Sequence, residues 1–544
     1  MERSTLQRLL ERSERPVFLL LLLAHLFVVW HMPVFLTQDG PSHLYNARIL
    51  LELWSGDHTG LYAKFFSLNN TFSPNWTGNI LLAGFLKFLS PIAAEKAIVS
   101  LYMIALPMAF RHAVRTLGGA TPYLSSLIFL LTYNYHLVYG FFNFCLGLAV
   151  LFWFVAALHR FMEQPTWKRG MGCALLLLLM LATHPVALLL GFVLLGCRTL
   201  QYLITSWKRG DRGPLAWRPV ATTVALAGPA LLLFLLFMPA STPDQPPLFE
   251  NKWSGETVCA LLRMDQLIVF GGNEGSLFRT VALLFAALLG FALWKNRKVS
   301  ATTTGALLLA LMTCCLSIHF FLTDQLAGGA YLTSRMALIA WVVFALYIAT
   351  RPLPLQAVAG GVIGAALLSF SLLVIRYPMH ARCGELAEAY IAECAAIPDG
   401  STFLPLCFSD RGEFGNEKLS PRISVFKHIS GYVAAERPVI SLDNYEANTT
   451  YFQTAWLPTV NPFTQLCASG DCNIEGQPTT ADIPDYEERA QRSIDFVVLW
   501  GDQLRAARQP GYREFMSDLT QRFEPLTATR DGNYRLYGRK KTTP

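Results

Sequence analysis

An acidic residue and a histidine lie close together just after the first long apolar segment of the chain. That segment runs from Pro16 to Leu36, and Asp39, Gly40, Pro41 and His43 follow it. A Gly-Pro pair favours a break in the chain and a new helix with proline in its first turn. On that helix His43 lies one turn beyond Asp39, so a carboxylate and an imidazole can face one volume. The pattern predicts either a reactive carboxylate at the membrane surface or an acidic cap of the new helix.

The composition is that of a membrane protein over most of the chain. Of 544 residues, 53% are hydrophobic and 15% are charged, whereas soluble proteins carry about 25% charged residues. Long apolar runs continue to about Ile375, and the chain becomes polar and mixed from Arg376. We therefore expect a transmembrane domain over residues 1–375 and a small α/β domain over residues 376–544. The net charge of +7 comes from short basic clusters between apolar runs, so we expect no nucleic-acid partner.

The basic clusters predict the topology, because short cytoplasmic loops carry the excess of lysine and arginine. Four hairpins lie between such clusters, at Ala120 to His159, Gly170 to Ile204 (turning at Thr183-His184-Pro185), Pro219 to Trp294 and Ser300 to Thr350. Single spans precede and follow them, at Pro16 to Leu36, Ile92 to Arg111 and Leu355 to Ile375. The total is about eleven. We predict an integral plasma (inner) membrane protein with a cytoplasmic N-terminus and a periplasmic or extracellular C-terminal domain.

The extracytoplasmic parts have recognisable local patterns. The first outer loop, residues 37–91, contains helical patterns at 46–54 and 79–89, which we expect to lie half-buried along the membrane surface. In the C-terminal domain the sequence predicts an amphipathic helix over 382–396, buried strands over 402–406 and 495–500, and an edge strand over 534–537. Cys467 and Cys472 are spaced for a small disulfide loop in an oxidising compartment.

The whole arrangement resembles the GT-C glycosyltransferases. The resemblance covers the architecture, and its motifs are Asp39-Gly40-Pro41-x-His43 and Gly140-Phe141-Phe142-Asn143-Phe144 at the second outer tip. It implies an inverting transfer of sugar from a polyprenyl-phosphate donor, with Asp39 as the catalytic base. Many members carry a second acid in the outer loop between spans three and four. Residues 133–143 contain no carboxylate, which weakens a two-carboxylate or metal-dependent mechanism, although a divalent cation stays open.

Transfer from a lipid phosphate needs a base for the acceptor hydroxyl and a cation for the departing phosphate. Arg335, beside an outer loop, is the best-placed cation, although an interfacial arginine that reaches for water has the same pattern. The other substrate-binding candidates are polar residues near the outer ends of spans: His43, His136, Asn143 and His184. Membrane lipid and a lipid-linked sugar donor are the expected partners, with a glycan, lipid or protein as acceptor.

Two other functions fit a polytopic chain. A lipid or glycan transporter, or a flippase, would place charged or broken-helix sites at the bilayer midplane. The ionisable residues of this sequence cluster at the outer rim instead. A non-catalytic membrane assembly factor is the second alternative, since a fold can persist after its chemistry is lost.

Overall fold

The computed structural model of the chain describes residues 5–69, 74–118, 122–210, 217–237, 248–295, 303–325, 329–415, 417–449, 451–464, 466, 483–508 and 511–541. Cys467 and Cys472 lie outside these residues, so the predicted disulfide between them stays a prediction.

Long apolar helices form the membrane part of the protein. Within the described residues, nine helices are long and apolar enough to cross a membrane. They are α1 (Thr5–His31), α4 (Pro91–Thr116), α7 (Phe142–Glu163), α9 (Pro185–Lys208), α10 (Arg218–Phe237), α12 (Glu274–Lys295), α13 (Thr303–Phe321), α14 (Leu332–Ala349) and α15 (Leu355–Glu393). The predicted polytopic helical fold is therefore confirmed.

The two other predicted spans are present as shorter helices. The hairpin with its turn at His184 consists of α8 (Trp167–Thr183) and α9, with His184 as the N-cap between them. At 17 residues, α8 is slightly short for a full crossing. The remaining predicted span is a 3-10 helix (Pro122–Ile128) that continues into α5 (Phe129–Thr132).

The helices differ in how much of their surface the protein itself covers. In the apolar 18-residue stretch of each helix, 72% of α7 and 67% of α14 is buried inside the protein, whereas in α10 the buried share is 17%. α4 packs against α7, and α13 packs against α14. α7 and α14 therefore form the centre of the helical part, and α10 lies at its periphery.

One helix joins the membrane part to the C-terminal domain. α15 has 39 residues, which corresponds to a length of about 58 Å at about 1.5 Å per residue. It continues through the expected boundary at residues 375 and 376. The helix predicted over 382–396 is therefore present as the end of α15 and a short 3-10 helix (Cys394–Ala396), and it is continuous with the apolar part of α15. The apolar and amphipathic patterns run into each other without a residue that ends the helix, and Pro378 is accommodated inside it.

The C-terminal domain contains a five-stranded sheet with the order β5-β2-β7-β9-β8. Its strands are β2 (Thr402–Cys407), β5 (Ile440–Ser441), β7 (Phe496–Trp500), β8 (Phe523–Ala528) and β9 (Tyr534–Arg539). β2 pairs in parallel with β5 and β7, while β9 is antiparallel to β7 and β8. The strand predicted at the edge, β9, lies inside the sheet. β8 forms the edge of the sheet beside β9, and every residue of β8 after Phe523 is exposed.

The first outer loop is enclosed between the helices and the C-terminal domain. It contains α2 (Gly40–Trp54), β1 (Phe66–Leu68) and α3 (Trp76–Phe85). α2 packs against α16 (Ser430–Glu436), and β1 pairs antiparallel with β6 (Thr454–Trp456) of the C-terminal domain. Most of α2 is buried by protein, so it is a core helix between two layers.

The remaining elements are short or lie away from this interface. They are α6 (Tyr135–Tyr139), α11 (Gly255–Leu262), β3 (Glu413–Phe414), β4 (Glu417–Lys418), α17 (Ile483–Ala490), α18 (Gln503–Ala506) and α19 (Tyr512–Arg522).

Candidate functional site

Asp39 lies at the junction of three parts of the chain. The backbone N–H groups of Gln38 and Asp39 donate to the carbonyl oxygens of Val138 and Tyr139, each over 3.0 Å. The segment before α2 is thereby fixed to α6, and the Asp39 side chain is buried. Burial raises the pKa of the Asp39 carboxyl above its ordinary value, although His428 and His43 act against the shift.

The carboxylate of Asp39 does not cap the helix that follows it. Its side chain makes no capping hydrogen bond to α2. The N–H of Gly40 donates instead to Thr37 Oγ1 over 3.1 Å. Asp39 Oδ1 accepts a hydrogen bond from Gln38 Nε2 at 3.1 Å, and Gln38 Oε1 accepts one from the N–H of Ser424 at 3.0 Å. The C-terminal domain therefore orients the carboxylate through Gln38, and the geometry does not support the cap interpretation.

Close packing accounts for the Gly-Pro pair after Asp39. A Cβ on Gly40 would overlap the carboxylate of Glu95 and the hydroxyl of Thr37. Pro41 is covered by α16, where a Cβ on Gly431 would overlap the Pro41 carbonyl oxygen. Residues 39–41 are thus enclosed from both the membrane side and the C-terminal side.

Gly140, in the second motif, contacts the same segment. It has φ +98°, a region that favours glycine. An added Cβ would lie 2.9 Å from the backbone nitrogens of Asp39 and Gly40. The two motifs of the sequence therefore meet in the structure.

His43 lies between Asp39 and a second carboxylate. Its Nδ1 is 2.6 Å from Glu446 Oε1, and its Nε2 donates to the Gly140 carbonyl oxygen over 3.1 Å. Glu446 is fully buried, and its Oε2 accepts a hydrogen bond of 2.5 Å from Asn46 Nδ2. Burial alone would lower the pKa of His43, but Glu446 and Asp39 offset it and raise the pKa to about 9.

A second imidazole–carboxylate pair comes from the C-terminal domain. His428 Nδ1 is 3.2 Å from Asp443 Oδ2, and the imidazole stacks on the Tyr445 ring at 4.7 Å between centroids. Burial lowers the pKa of His428, but the attraction to Asp443 and Asp39 gives a net rise. Asp39 is therefore flanked by two histidines that favour its charged form.

Arg335 is buried in a different environment, which we call the Arg335 pocket: Arg335, Phe141, Phe144, His136 and His184. The guanidinium carbon lies 4.4 Å from the centre of the Phe141 ring and 5.3 Å from that of Phe144. Its Nη1 is 3.3 Å from His184 Nε2. Among the described residues Arg335 has no ion pair with a carboxylate, and its Nε has no hydrogen-bond partner. The pocket therefore holds a cation whose neighbours are rings.

Tyrosines lie between Asp39 and the Arg335 pocket. Tyr139 and Tyr331 are joined through their hydroxyls at 3.0 Å, and Tyr135 lies beside both rings. The charges of Asp39 and Arg335 both act on Tyr451. An aromatic, polar-edged surface thus connects a carboxylate and a cation.

Two solved structures resemble the chain along almost its whole length. ArnT from Cupriavidus metallidurans bound to undecaprenyl phosphate has a TM-score of 0.54 at 12% identity, covering 96% of this chain and 98% of that one. ArnT in the apo state has a TM-score of 0.52 at 12% identity, covering 95% and 97%. ArnT is a GT-C glycosyltransferase. The chain has the GT-C fold. No family model and no curated protein matches its sequence.

On this GT-C fold the predicted site residues form two groups. Asp39 and His43 meet at the interface with the C-terminal domain, and His136, His184 and Arg335 meet in the Arg335 pocket. Asn143 lies apart from both sets of contacts. Its Oδ1 accepts from the N–H of Gly78 at 2.6 Å and its Nδ2 donates to the Asn75 carbonyl oxygen at 2.8 Å. These bonds hold α3 in place, and a substrate-binding role for Asn143 stays a prediction.

Sequence reasoning missed the residues that the C-terminal domain contributes. Glu446, Asp443 and His428 come from a stretch without regular periodicity, about 400 residues after Asp39. No local pattern marks them, because their role depends on which element they face in the fold.

No metal centre is evident in the part of the chain that the structure describes. Within it, no three His, Cys, Asp or Glu side chains are grouped so that they could hold an ion.

Proposed function

We propose that this protein is an inverting membrane glycosyltransferase that takes its sugar from a polyprenyl-phosphate donor, with Asp39 as general base. One observation carries the proposal: the same protein holds a buried, oriented carboxylate, Asp39, and a buried arginine, Arg335, that has no carboxylate partner among the described residues. The GT-C fold supports the reaction class, and the undecaprenyl phosphate bound to ArnT supports the donor class.

The residues fit a single displacement at the sugar. The acceptor hydroxyl oxygen attacks the anomeric carbon while its proton passes to Asp39. The bond from that carbon to the phosphate oxygen breaks, and polyprenyl phosphate leaves with the electron pair. Attack from the side opposite the phosphate inverts the anomeric centre. Arg335 and its ring neighbours stabilise the negative charge of the departing phosphate, and His136 and His184 line the same pocket.

The location of the site supports a membrane-borne donor. Arg335 is in the first turns of α14, a helix long and apolar enough to span the bilayer, so a prenyl chain can stay among lipids while its phosphate enters the pocket. In this proposal the N-terminus is cytoplasmic and the C-terminal domain is extracytoplasmic, which the basic clusters support. The acceptor is a hydroxyl of a glycan, lipid or protein.

A transporter receives less support from the buried charges. Arg376 and Glu274 form an ion pair of 2.9 Å with both side chains almost fully buried. Arg376 also donates to the Tyr133 carbonyl oxygen, and Glu274 accepts from the N–H groups of Val269 and Phe270. A pair with so many fixed partners acts as a structural clamp and is poorly suited to carry a moving substrate.

Replacement of Asp39 by asparagine tests the proposal. The protein in lipid nanodiscs is given a panel of undecaprenyl-phosphate sugars and a membrane extract as acceptor, and released undecaprenyl phosphate is quantified by mass spectrometry. A general base contributes about 10²–10⁴-fold in rate, so Asp39→Asn should lower release by that factor. Its melting temperature should stay close to that of wild type.

Asp57→Asn is the matched control, because Asp57 is an outer-loop acid that bonds the N–H of Ala63. It should retain release within about threefold, since it lies away from the site. Retention of more than about a tenth of the release by Asp39→Asn would exclude Asp39 as general base.

A further inference from the structure

The contacts of His43 specify its protonation state. Nδ1 faces Glu446 Oε1 at 2.6 Å, and Nε2 faces the Gly140 carbonyl oxygen at 3.1 Å. A neutral imidazole has one N–H group, whereas the imidazolium has two. The Gly140 carbonyl oxygen has no proton to donate, and neither has Glu446 when it is ionised, so only the imidazolium presents an N–H group to each of these oxygens.

Glu446 is held so that it cannot turn away from His43. Asn46 donates to its other carboxylate oxygen, Oε2, over 2.5 Å. Asn46 is itself fixed, because its Oδ1 accepts a hydrogen bond from the Thr454 hydroxyl. Thr454 belongs to β6, which pairs with β1 of the first outer loop. The carboxylate therefore reaches His43 only when the C-terminal domain is docked on α2.

We propose that Glu446 is the second carboxylate of this site, a positioning residue that keeps His43 as a fixed cation beside Asp39. The part of the proposal that concerns catalysis rests on the proposed function. Residues 133–143, the loop in which the sequence lacks a second acid, contribute only the Gly140 carbonyl oxygen, which contacts His43 Nε2. The acid, Glu446, comes from the C-terminal domain and contacts the other ring nitrogen, Nδ1. Transfer thereby depends on the docked C-terminal domain.

Electrostatics supports this arrangement. Asp39 must be ionised to accept a proton, but burial raises its pKa, and the His43 charge acts in the opposite direction. His43 faces Glu446 from the C-terminal domain, Asp39 at the start of α2 and Glu95 from α4. Asp39 faces His428 and Glu446 as well as His43. With a pKa of about 9, His43 is charged below that pH and loses its charge as the pH rises through it.

Glu446→Gln tests the proposal through the pH dependence of transfer. Glutamine keeps an acceptor oxygen for Asn46 but removes the charge that faces His43. Loss of an adjacent opposite charge should lower the pKa of His43 by roughly one to three units. Wild-type release of polyprenyl phosphate should fall as the pH rises through about 9, because neutral His43 no longer presents an N–H group to both Glu446 and the Gly140 carbonyl oxygen and so loses its fixed position beside Asp39. In Glu446→Gln the fall should begin at correspondingly lower pH. Activity near pH 6 should be largely kept.

The control is Asp399→Asn, which removes the acid of an exposed ion pair with Arg437 in the same domain. In this variant, release of polyprenyl phosphate should fall at the same alkaline pH as in wild type. A merely structural role for Glu446 would lower activity equally at every pH. If release by folded Glu446→Gln falls at the same alkaline pH as release by wild type, the proposal is overturned.

A second measurement needs neither substrate nor a stable Glu446 variant. In wild-type protein labelled with ¹⁵N-histidine, the signal that disappears in His43→Gln should stay that of an imidazolium from pH 6 to 8. A titration midpoint at or below the ordinary histidine value of about 6.5 would overturn the proposal. If wild type transfers no sugar from any donor, the proposed function fails, while this titration still decides how Glu446 acts on His43.

Discussion

The surroundings of Asp39 and of Arg335 handle buried charge in opposite ways. Around Asp39 the chain supplies an amide from Gln38 and two imidazoles, each with its own carboxylate in Glu446 and Asp443. Around Arg335 it supplies phenylalanine rings and the Nε2 of His184. One charge is surrounded by compensating groups, and the other is surrounded by faces of aromatic rings.

The difference indicates what each region lacks. An uncompensated buried ion costs several kcal/mol even after relaxation, and cation–π contacts return about 2 kcal/mol or slightly more. The Arg335 pocket is therefore destabilised until an anion enters it. The Asp39 region is already balanced, so its groups hold their geometry without substrate. The comparison predicts that the two regions respond differently to mutation and to a lipid phosphate.

Arg335→Gln should have the largest effect of the three changes considered next. Removal of one preorganised charge-stabilising group lowers turnover by about 10²–10³-fold. Undecaprenyl phosphate should raise the melting temperature of wild type, because a ligand that binds only the folded state stabilises it, and the variant should lose this rise. Without ligand the variant should melt no lower than wild type, since an uncompensated charge has been removed.

Arg351→Gln is the matched control. Arg351 is also mostly buried and lies over the Tyr347 ring at 4.1 Å, just beyond the other end of α14. It should keep the stabilisation by undecaprenyl phosphate. An equal loss in both variants would mean that the lipid phosphate is not bound by Arg335 in particular.

Part of this comparison could be predicted from the sequence. The restart of the chain at Gly40, the turn at His184 and the arginine in the first turn of α14 are local patterns, because a helix break or a charge in an apolar run is visible within about twenty residues. Both motifs around Asp39 and Gly140 were also local. Their contact with each other was not, since it depends on how α6 is placed beside α2.

The compensating groups could not be predicted for the same reason. Glu446 and Asp443 act through residues that are far away in the chain, and an isolated acid in an irregular segment has no periodicity to interpret. The prediction that β9 is an edge strand is wrong for a similar reason: its short polar-aromatic pattern is that of an edge strand, but β8 pairs with it on its outer side. Pairing of strands is decided by the rest of the domain.

Gly140→Ala should have an intermediate effect and tests how far the Asp39 geometry is imposed by packing. At φ +98° a side chain costs about 1–3 kcal/mol, and the new Cβ would press on the nitrogens of Asp39 and Gly40. We expect turnover to fall about tenfold, because a displaced base loses its near-attack geometry, with little change in the stabilisation by undecaprenyl phosphate.

Gly118→Ala provides the matched control for backbone strain. Gly118 has φ +86° but nothing within 4 Å of an added Cβ. It should lose a similar amount of stability and keep its turnover. If both variants lost turnover equally, the contact between Gly140 and Asp39 would have no specific role.

Asn143→Ala should have the smallest effect on transfer. It distinguishes a structural role for Asn143 from a role in binding the substrate. Asn143 was predicted to bind substrate, but its amide oxygen and nitrogen are both engaged with the backbone of Gly78 and Asn75. Loss of these bonds leaves partly buried groups unsatisfied at a cost of about 1–3 kcal/mol, so the melting temperature should fall. Undecaprenyl phosphate should still raise it by the wild-type increment, and the KM for the donor should change less than about threefold. Loss of that increment would instead assign Asn143 to the binding of the lipid phosphate together with Arg335.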